Sequence, residues 1–112
     1  MKVEEVIQRV VGTLRDEYRP DRIILFGSRV RGEAGEESDL DVLIIKESEQ
    51  DEVARMQEVH RLLHRYQRRP YRLALDILVK TPEEVRQRLA MGDLFLRGII
   101  ERGKLVYERV VV

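Results

Sequence analysis

Leu25-Phe26-Gly27-Ser28-Arg29-Val30-Arg31-Gly32-Glu33-Ala34-Gly35-Glu36-Glu37-Ser38-Asp39-Leu40-Asp41 is the stretch on which the fold of this 112-residue chain turns. It opens at the end of an apolar run, Ile23 to Phe26, that reads as a buried strand. Gly27-Ser28 breaks that strand. A short basic segment and a glycine-bearing loop follow. A second strand, Asp39 to Ile45, then begins with two aspartates one residue apart and continues as Val42-Leu43-Ile44-Ile45.

Two features of the stretch carry chemistry. A glycine at a strand end lets the backbone turn sharply and lets a ligand approach unobstructed. A helix starting at Ser28 would offer free N–H groups and a positive dipole end to an anion such as phosphate. The Ser28 hydroxyl adds a donor, and Arg29 and Arg31 can add charge-assisted contacts. The second feature is the pair Asp39 and Asp41. Residues i and i+2 of a strand share a face. Two carboxylates there repel each other unless a cation lies between them. Mg²⁺ suits the position, because it takes hard oxygen ligands and shares them with substrate phosphates. A phosphate cradle one loop away from a carboxylate pair is what metal-assisted nucleotidyl transfer requires.

A plain Gly-Ser turn and a solvated Asp-X-Asp strand start account for each half alone. Together, in the order strand, loop, strand, they favour the functional reading. Gly27-Ser28, a gap, then Ser38-Asp39-Leu40-Asp41 followed by apolar residues resembles the signature of the DNA polymerase beta nucleotidyltransferase superfamily. The small size is similar to its minimal nucleotidyltransferase branch, the MNT proteins. The motif covers Gly27 to Ile45, and the order of elements extends the resemblance over most of the chain.

The composition sets bounds. Residues 1–112 read as one nucleotidyltransferase domain with a modest core. Charged residues make up 38%, with 21 basic and 21 acidic, so no global field argues for nucleic acid or a membrane. Without cysteine there is no disulfide and no thiolate metal site. Met1 to Glu5 is too polar for a signal peptide, and no apolar run reaches membrane-spanning length, so the expected location is cytoplasmic. The absence of Asn and the wealth of Arg and Glu match proteins from hot environments.

Around the central stretch, residues 2–18 read as a helix, with Val3, Val6, Ile7, Val10, Val11 and Leu14 at helical spacing and Pro20 beyond its end. Residues 51–67 read as a second helix with Val53, Met56, Val59 (or His60), Leu63 and Tyr66 inward. His60 and His64 stand four apart, but Arg61 replaces the glutamate of a zinc-protease helix, so the pair reads as structural or surface. The run Arg61, Arg65, Arg68, Arg69 and Arg72 reads as a solvated face, with a nucleotide, RNA or protein contact as the alternative. Residues 71–80 read as a third strand. Asp76 stands alone in its apolar run, where an unpaired carboxylate is costly. Thr81-Pro82-Glu83-Glu84 reads as a helix start, with Gly92 ending that helix. Leu94 to Ile100 reads as a further apolar helical segment, Gly103 as a turn, and Lys104 to Tyr107 as a last strand. The apolar tail Val110-Val111-Val112 suggests a contact with another chain, a second copy included, or an extra strand.

The expected architecture is a small α/β (α+β) domain: a mixed sheet with helices packed on one face, the DNA polymerase beta-like nucleotidyltransferase fold that the resemblance implies. The resemblance also implies the site. Asp39, Asp41 and Asp76 would be catalytic and hold the metal; Asp76, on a strand beside the second, would also activate the attacking hydroxyl. Gly27, Ser28, Arg29 and Ser38 would bind the nucleotide. The implied cofactor is Mg²⁺ and the implied substrate ATP. MNT proteins pair with HEPN proteins, RNase-like helical toxins, and act as antitoxins by transferring AMP to a toxin tyrosine; the same partner and AMPylation are expected here. Two rival readings are a non-catalytic module that binds nucleotide or partner, and an RNA-directed transferase using the arginine run. Zero net charge and few aromatic residues count against the latter.

Overall fold

In the structure, a computed structural model, residues 2–31 and 39–110 are described. Ser38 and the Val111-Val112 end of the tail lie outside them. The apolar run expected as the first strand forms β1 (Arg22–Phe26), and the run after the aspartates forms β2 (Leu40–Ile45). β3 (Leu75–Lys80) and β4 (Lys104–Glu108) complete one sheet, ordered β3-β2-β1-β4. β1 runs antiparallel to β2 and β4, whereas β2 and β3 are parallel. The sheet is therefore mixed, as expected.

Among the described residues five α-helices surround it: α1 (Val3–Thr13), α2 (Ser28–Arg31), α3 (Glu52–Gln67), α4 (Pro82–Ala90) and α5 (Leu94–Arg102). A π-helical turn, Leu14–Tyr18, extends α1, so the first helical stretch ends where Pro20 requires. Val6, Val10, Leu14 and Tyr18 from this stretch and Val59, Leu63 and Tyr66 from α3 pack on Ile23, Leu25, Val42, Ile44, Ile77 and Val79 of the sheet. Strand side chains alternate, so Ile24, Leu43 and Ile45 face the other way. There they meet Val85 of α4 and Leu96 and Ile99 of α5. Helices thus cover both faces, which corrects the expectation of one. Neighbouring residues of β1 and β2 are both apolar and need cover on both sides.

The third strand is shorter than expected. Tyr71 to Ala74 form no strand: Arg72 has φ +51, and the Leu73 N–H donates to the Tyr66 carbonyl. The apolar character of this segment comes from packing, since Leu73 is buried and Tyr71 stacks obliquely on Tyr66. The α3 stripe is inward as expected at Met56, Val59, Leu63 and Tyr66 but differs at its start. Val53 is 66% exposed and Arg55 only 2%. Arg55 donates to the Gln50 carbonyl at 2.6 Å and to Glu84 Oε1 at 2.5 Å, which ties α3 to the start of α4. That start is the expected one. Thr81 Oγ1 accepts from the Glu84 N–H, Glu84 accepts from the Thr81 N–H, and Pro82 opens the helix. No helix among the described residues is long and apolar enough to cross a membrane.

Candidate active site

The topology brings distant carboxylates together. Because β2 and β3 are parallel and in register, Asp41 lies directly beside Asp76, and Leu40 beside Leu75. Adjacent strands run about 4.8 Å apart, so the two carboxylates leave the same face of the sheet as neighbours. On the other side of β2, Asp41 is opposite Phe26, the last residue of β1. Gly27 follows with φ +83, the left-handed turn that glycine adopts without strain. A methyl group at Gly27 would overlap Oδ2 of Asp41. Here the glycine is required twice, by its backbone angle and by the carboxylate against it.

Asp41 and Asp76 line a cavity of about 460 Å³. Phe26, Gly27 and Val30 bound it on one side. Leu94, Phe95, Gly98, Ile99 and Arg102 of α5 close it, with Gly103 behind them. Phe95 meets Phe26 edge to face, with ring centroids 6.0 Å apart. Two acidic oxygen donors thus sit at one end of a partly apolar pocket, as a site that orients a polar group against an aromatic wall requires.

The other described candidate residues are not among those that line this cavity. Asp39 stands exposed just ahead of β2 and does not line this cavity. Among the described residues no three His, Cys, Asp or Glu side chains converge closely enough to enclose a metal ion. The pair Asp41 and Asp76 still fits Mg²⁺, which needs only one or two carboxylates when phosphates and water complete its shell. Helix α2 starts at Ser28 as expected but spans only four residues, so its dipole is weak. Arg29 borders a separate cleft of about 880 Å³ against α1 and β4, with Val30 shared between the two cavities. Arg31 closes α2. His60 and His64 are both exposed on α3, as a surface reading of the pair requires. Sequence reasoning missed α5 as a wall of the site. The available signals were Gly98 inside a helix and Arg102 one turn later.

A model of the nucleotidyltransferase domain matches residues 7–110. The chain belongs to the nucleotidyltransferase domain family. A Methanocaldococcus jannaschii protein provisionally named a protein adenylyltransferase is 31% identical over 109 residues, covering 96% of this chain and 100% of that protein. Among solved structures, a chain of a toxin–antitoxin complex with AMP-PNP aligns at a TM-score of 0.61 and 20% identity, covering 91% of this chain and 73% of that one. A chain from the tri-AMPylated Shewanella oneidensis HEPN toxin in complex with MNT antitoxin aligns at 0.57 and 17% identity, covering 96% and 74%. Both structures share the fold of this nucleotidyltransferase. In this chain the register pair Asp41 and Asp76 and the strand-end glycine lie together at one cavity.

Proposed function

We propose that this nucleotidyltransferase moves AMP from Mg²⁺–ATP onto a tyrosine hydroxyl of a HEPN-domain partner, and so acts as an antitoxin. The observation that carries the reading is the register pair Asp41 and Asp76 beside Gly27, opening into one cavity. The name of the M. jannaschii relative and the partners of the fold neighbours support it. The exposed apolar rim of the cavity supports a protein acceptor. Leu94 and Phe95 are 78% and 64% exposed at the cavity of the carboxylates, a place where a docked chain would present a hydroxyl.

In this reading Asp41 and Asp76 would hold Mg²⁺, and Asp39, two residues before Asp41, belongs to the same proposal as a metal ligand. The bound metal would neutralise charge on the attacking and leaving oxygens. Ser28 and the α2 N–H groups bind the terminal phosphates; Ser38 belongs to the same proposal. Gly27 keeps the approach to Asp41 open. Asp76 accepts the proton of the acceptor hydroxyl as its oxygen bonds to the α-phosphorus and pyrophosphate departs. With a docked partner covering the exposed Phe95, Phe26 and Phe95 would help to exclude water, so that transfer outcompetes hydrolysis.

The test is incubation with Mg²⁺–ATP and a HEPN protein encoded next to the chain, read by intact mass. Addition of AMP to a partner tyrosine, abolished in the Asp41→Asn/Asp76→Asn variant, is the expected result. An unmodified partner with wild-type protein would sink the proposal.

A further inference from the structure

α5 brings a cation to the cavity of the carboxylates. Arg102 lines the cavity of Asp41 and Asp76, whereas Arg29 borders the neighbouring cleft. An arginine in the last turn of a helix is ordinary, since the dipole favours positive charge there. What is not ordinary is the residue beneath it. Position 98, one turn earlier and buried, is glycine, and a Cβ there would overlap Nη2 of Arg102. The guanidinium lies in the space a side chain would take. Glycine inside a helix is unfavourable, so its presence calls for a reason. Among the described residues Arg102 has no carboxylate partner, while Arg97 on the same helix pairs with Glu101.

The geometry points to Arg102 as a phosphate-binding residue of the nucleotide site, and to Gly98 as the residue that seats it. This rests on the nucleotidyl-transfer reading of the cavity. A guanidinium offers a planar fork of donors that matches two phosphate oxygens at once. As it lines the same cavity as the acidic pair, it brings positive charge to a polyanion that also meets the metal-binding carboxylates. It also meets the negative charge that grows on the leaving pyrophosphate. Gly98 is a positioning residue, because it acts through Arg102.

The experiment is isothermal titration of Mg²⁺ with α,β-methylene ATP, which cannot release pyrophosphate, into wild type, Arg102→Ala, Arg102→Lys, Gly98→Ala, the Gly98→Ala/Arg102→Ala double variant, and Asp41→Asn/Asp76→Asn. Arg102→Ala is expected to weaken binding about ten- to hundredfold, the range for lost charge-assisted hydrogen bonds. Arg102→Lys keeps the charge but not the fork and should fall between. Gly98→Ala should weaken binding while the melting temperature holds or rises, since alanine favours a helix. In the Arg102→Ala background it should add nothing. Wild-type affinity in Arg102→Ala overturns the inference and leaves the nucleotide reading standing. A further loss in the double variant overturns the role of Gly98, because the methyl group would then obstruct the ligand directly. Absence of binding by wild type, or undiminished binding by Asp41→Asn/Asp76→Asn, removes the nucleotide reading and this inference with it.

Discussion

Gly27→Ala separates a backbone cost from a functional one, because the chain contains its own control. Gly27 and Gly92 have nearly the same backbone angle, φ +83 and φ +86. An alanine at either position enters the left-handed region at a cost of about 1–2 kcal/mol. For a domain of this size that corresponds to a fall in melting temperature of about 4–10 °C. The surroundings differ. Nothing lies within 4 Å of a Cβ built on Gly92, whereas a Cβ on Gly27 overlaps the Asp41 carboxylate. Gly27→Ala must therefore turn Asp41 out of its place beside Asp76. Displacing a ligand-orienting contact typically costs 10–100-fold in metal affinity, so Mg²⁺–nucleotide binding should fall by about that factor. Thermal melts and titration of Mg²⁺–α,β-methylene ATP on both variants form the assay. Similar melting temperatures with weakened binding only in Gly27→Ala are expected. Equal, undiminished nucleotide affinity in the two variants would refute the placement of Asp41 at the centre of the site.

Further predictions concern the scaffold. Arg55→Met removes the bonds from the buried guanidinium to the Gln50 carbonyl and Glu84. The Glu84 side chain is 37% exposed and can rehydrate, so the loss should be about 1–3 kcal/mol, below that of a fully enclosed pair; an unchanged urea midpoint would contradict this. Thr81→Ala breaks the reciprocal cap of α4 and should lower the urea midpoint by the equivalent of about 1 kcal/mol with the slope unchanged. Acid should destabilise the protein through carboxylates that include Glu84 and Asp93. Burial works to raise the pKa of Glu84, but bonds from the Thr81 N–H and from Arg55 outweigh it and hold Glu84 below its ordinary value. Asp93 is held low by the Leu96 N–H it caps, against a smaller effect of burial, and by Arg88. Both folded pKa values are depressed, so their stabilisation is full above the ordinary carboxylate range and is lost as pH falls through the folded values. Melts from pH 6 to about pH 3 should show this loss, reduced in Asp93→Asn; an identical acid profile in that variant would contradict the assignment.

What the sequence disclosed followed the range of the interactions involved. Gly27-Ser28 and Asp39-Leu40-Asp41 are local, so strand, turn and carboxylates could be read from consecutive residues. The Thr81 cap is local too and formed as written. Asp76 required a longer inference, because only the parallel register of β3 beside β2 brings it to Asp41. The burial of Arg55 was not legible because it depends on Glu84, 29 positions away. Helical spacing alone ranks a charged residue outside, and Val53 looked the better core residue. Covering helices on both faces had a visible signal in the unbroken apolar run Val42 to Ile45, whereas strands with one wet face alternate.

The position of the site follows from the directions of three strands. β1 runs antiparallel to β2, and β2 parallel to β3, so the end of β1 and the starts of β2 and β3 meet at one edge of the sheet. Gly27, Asp41 and Asp76 collect there for that reason, although they span half the chain. The face they occupy is covered by α4 and α5 rather than by the longer α3. At the carboxylates that cover is α5, where Gly98 leaves its side-chain space to the Arg102 guanidinium. The helix that sequence reading assigned to the core or a partner therefore has two sides. Leu96 and Ile99 anchor it to Ile24, Leu43 and Ile45, while Leu94, Phe95 and Arg102 remain at the cavity. A substitution that loosens the anchor, such as Ile99→Ala, should thus lower stability and nucleotide affinity together, whereas Arg102→Ala should lower affinity alone.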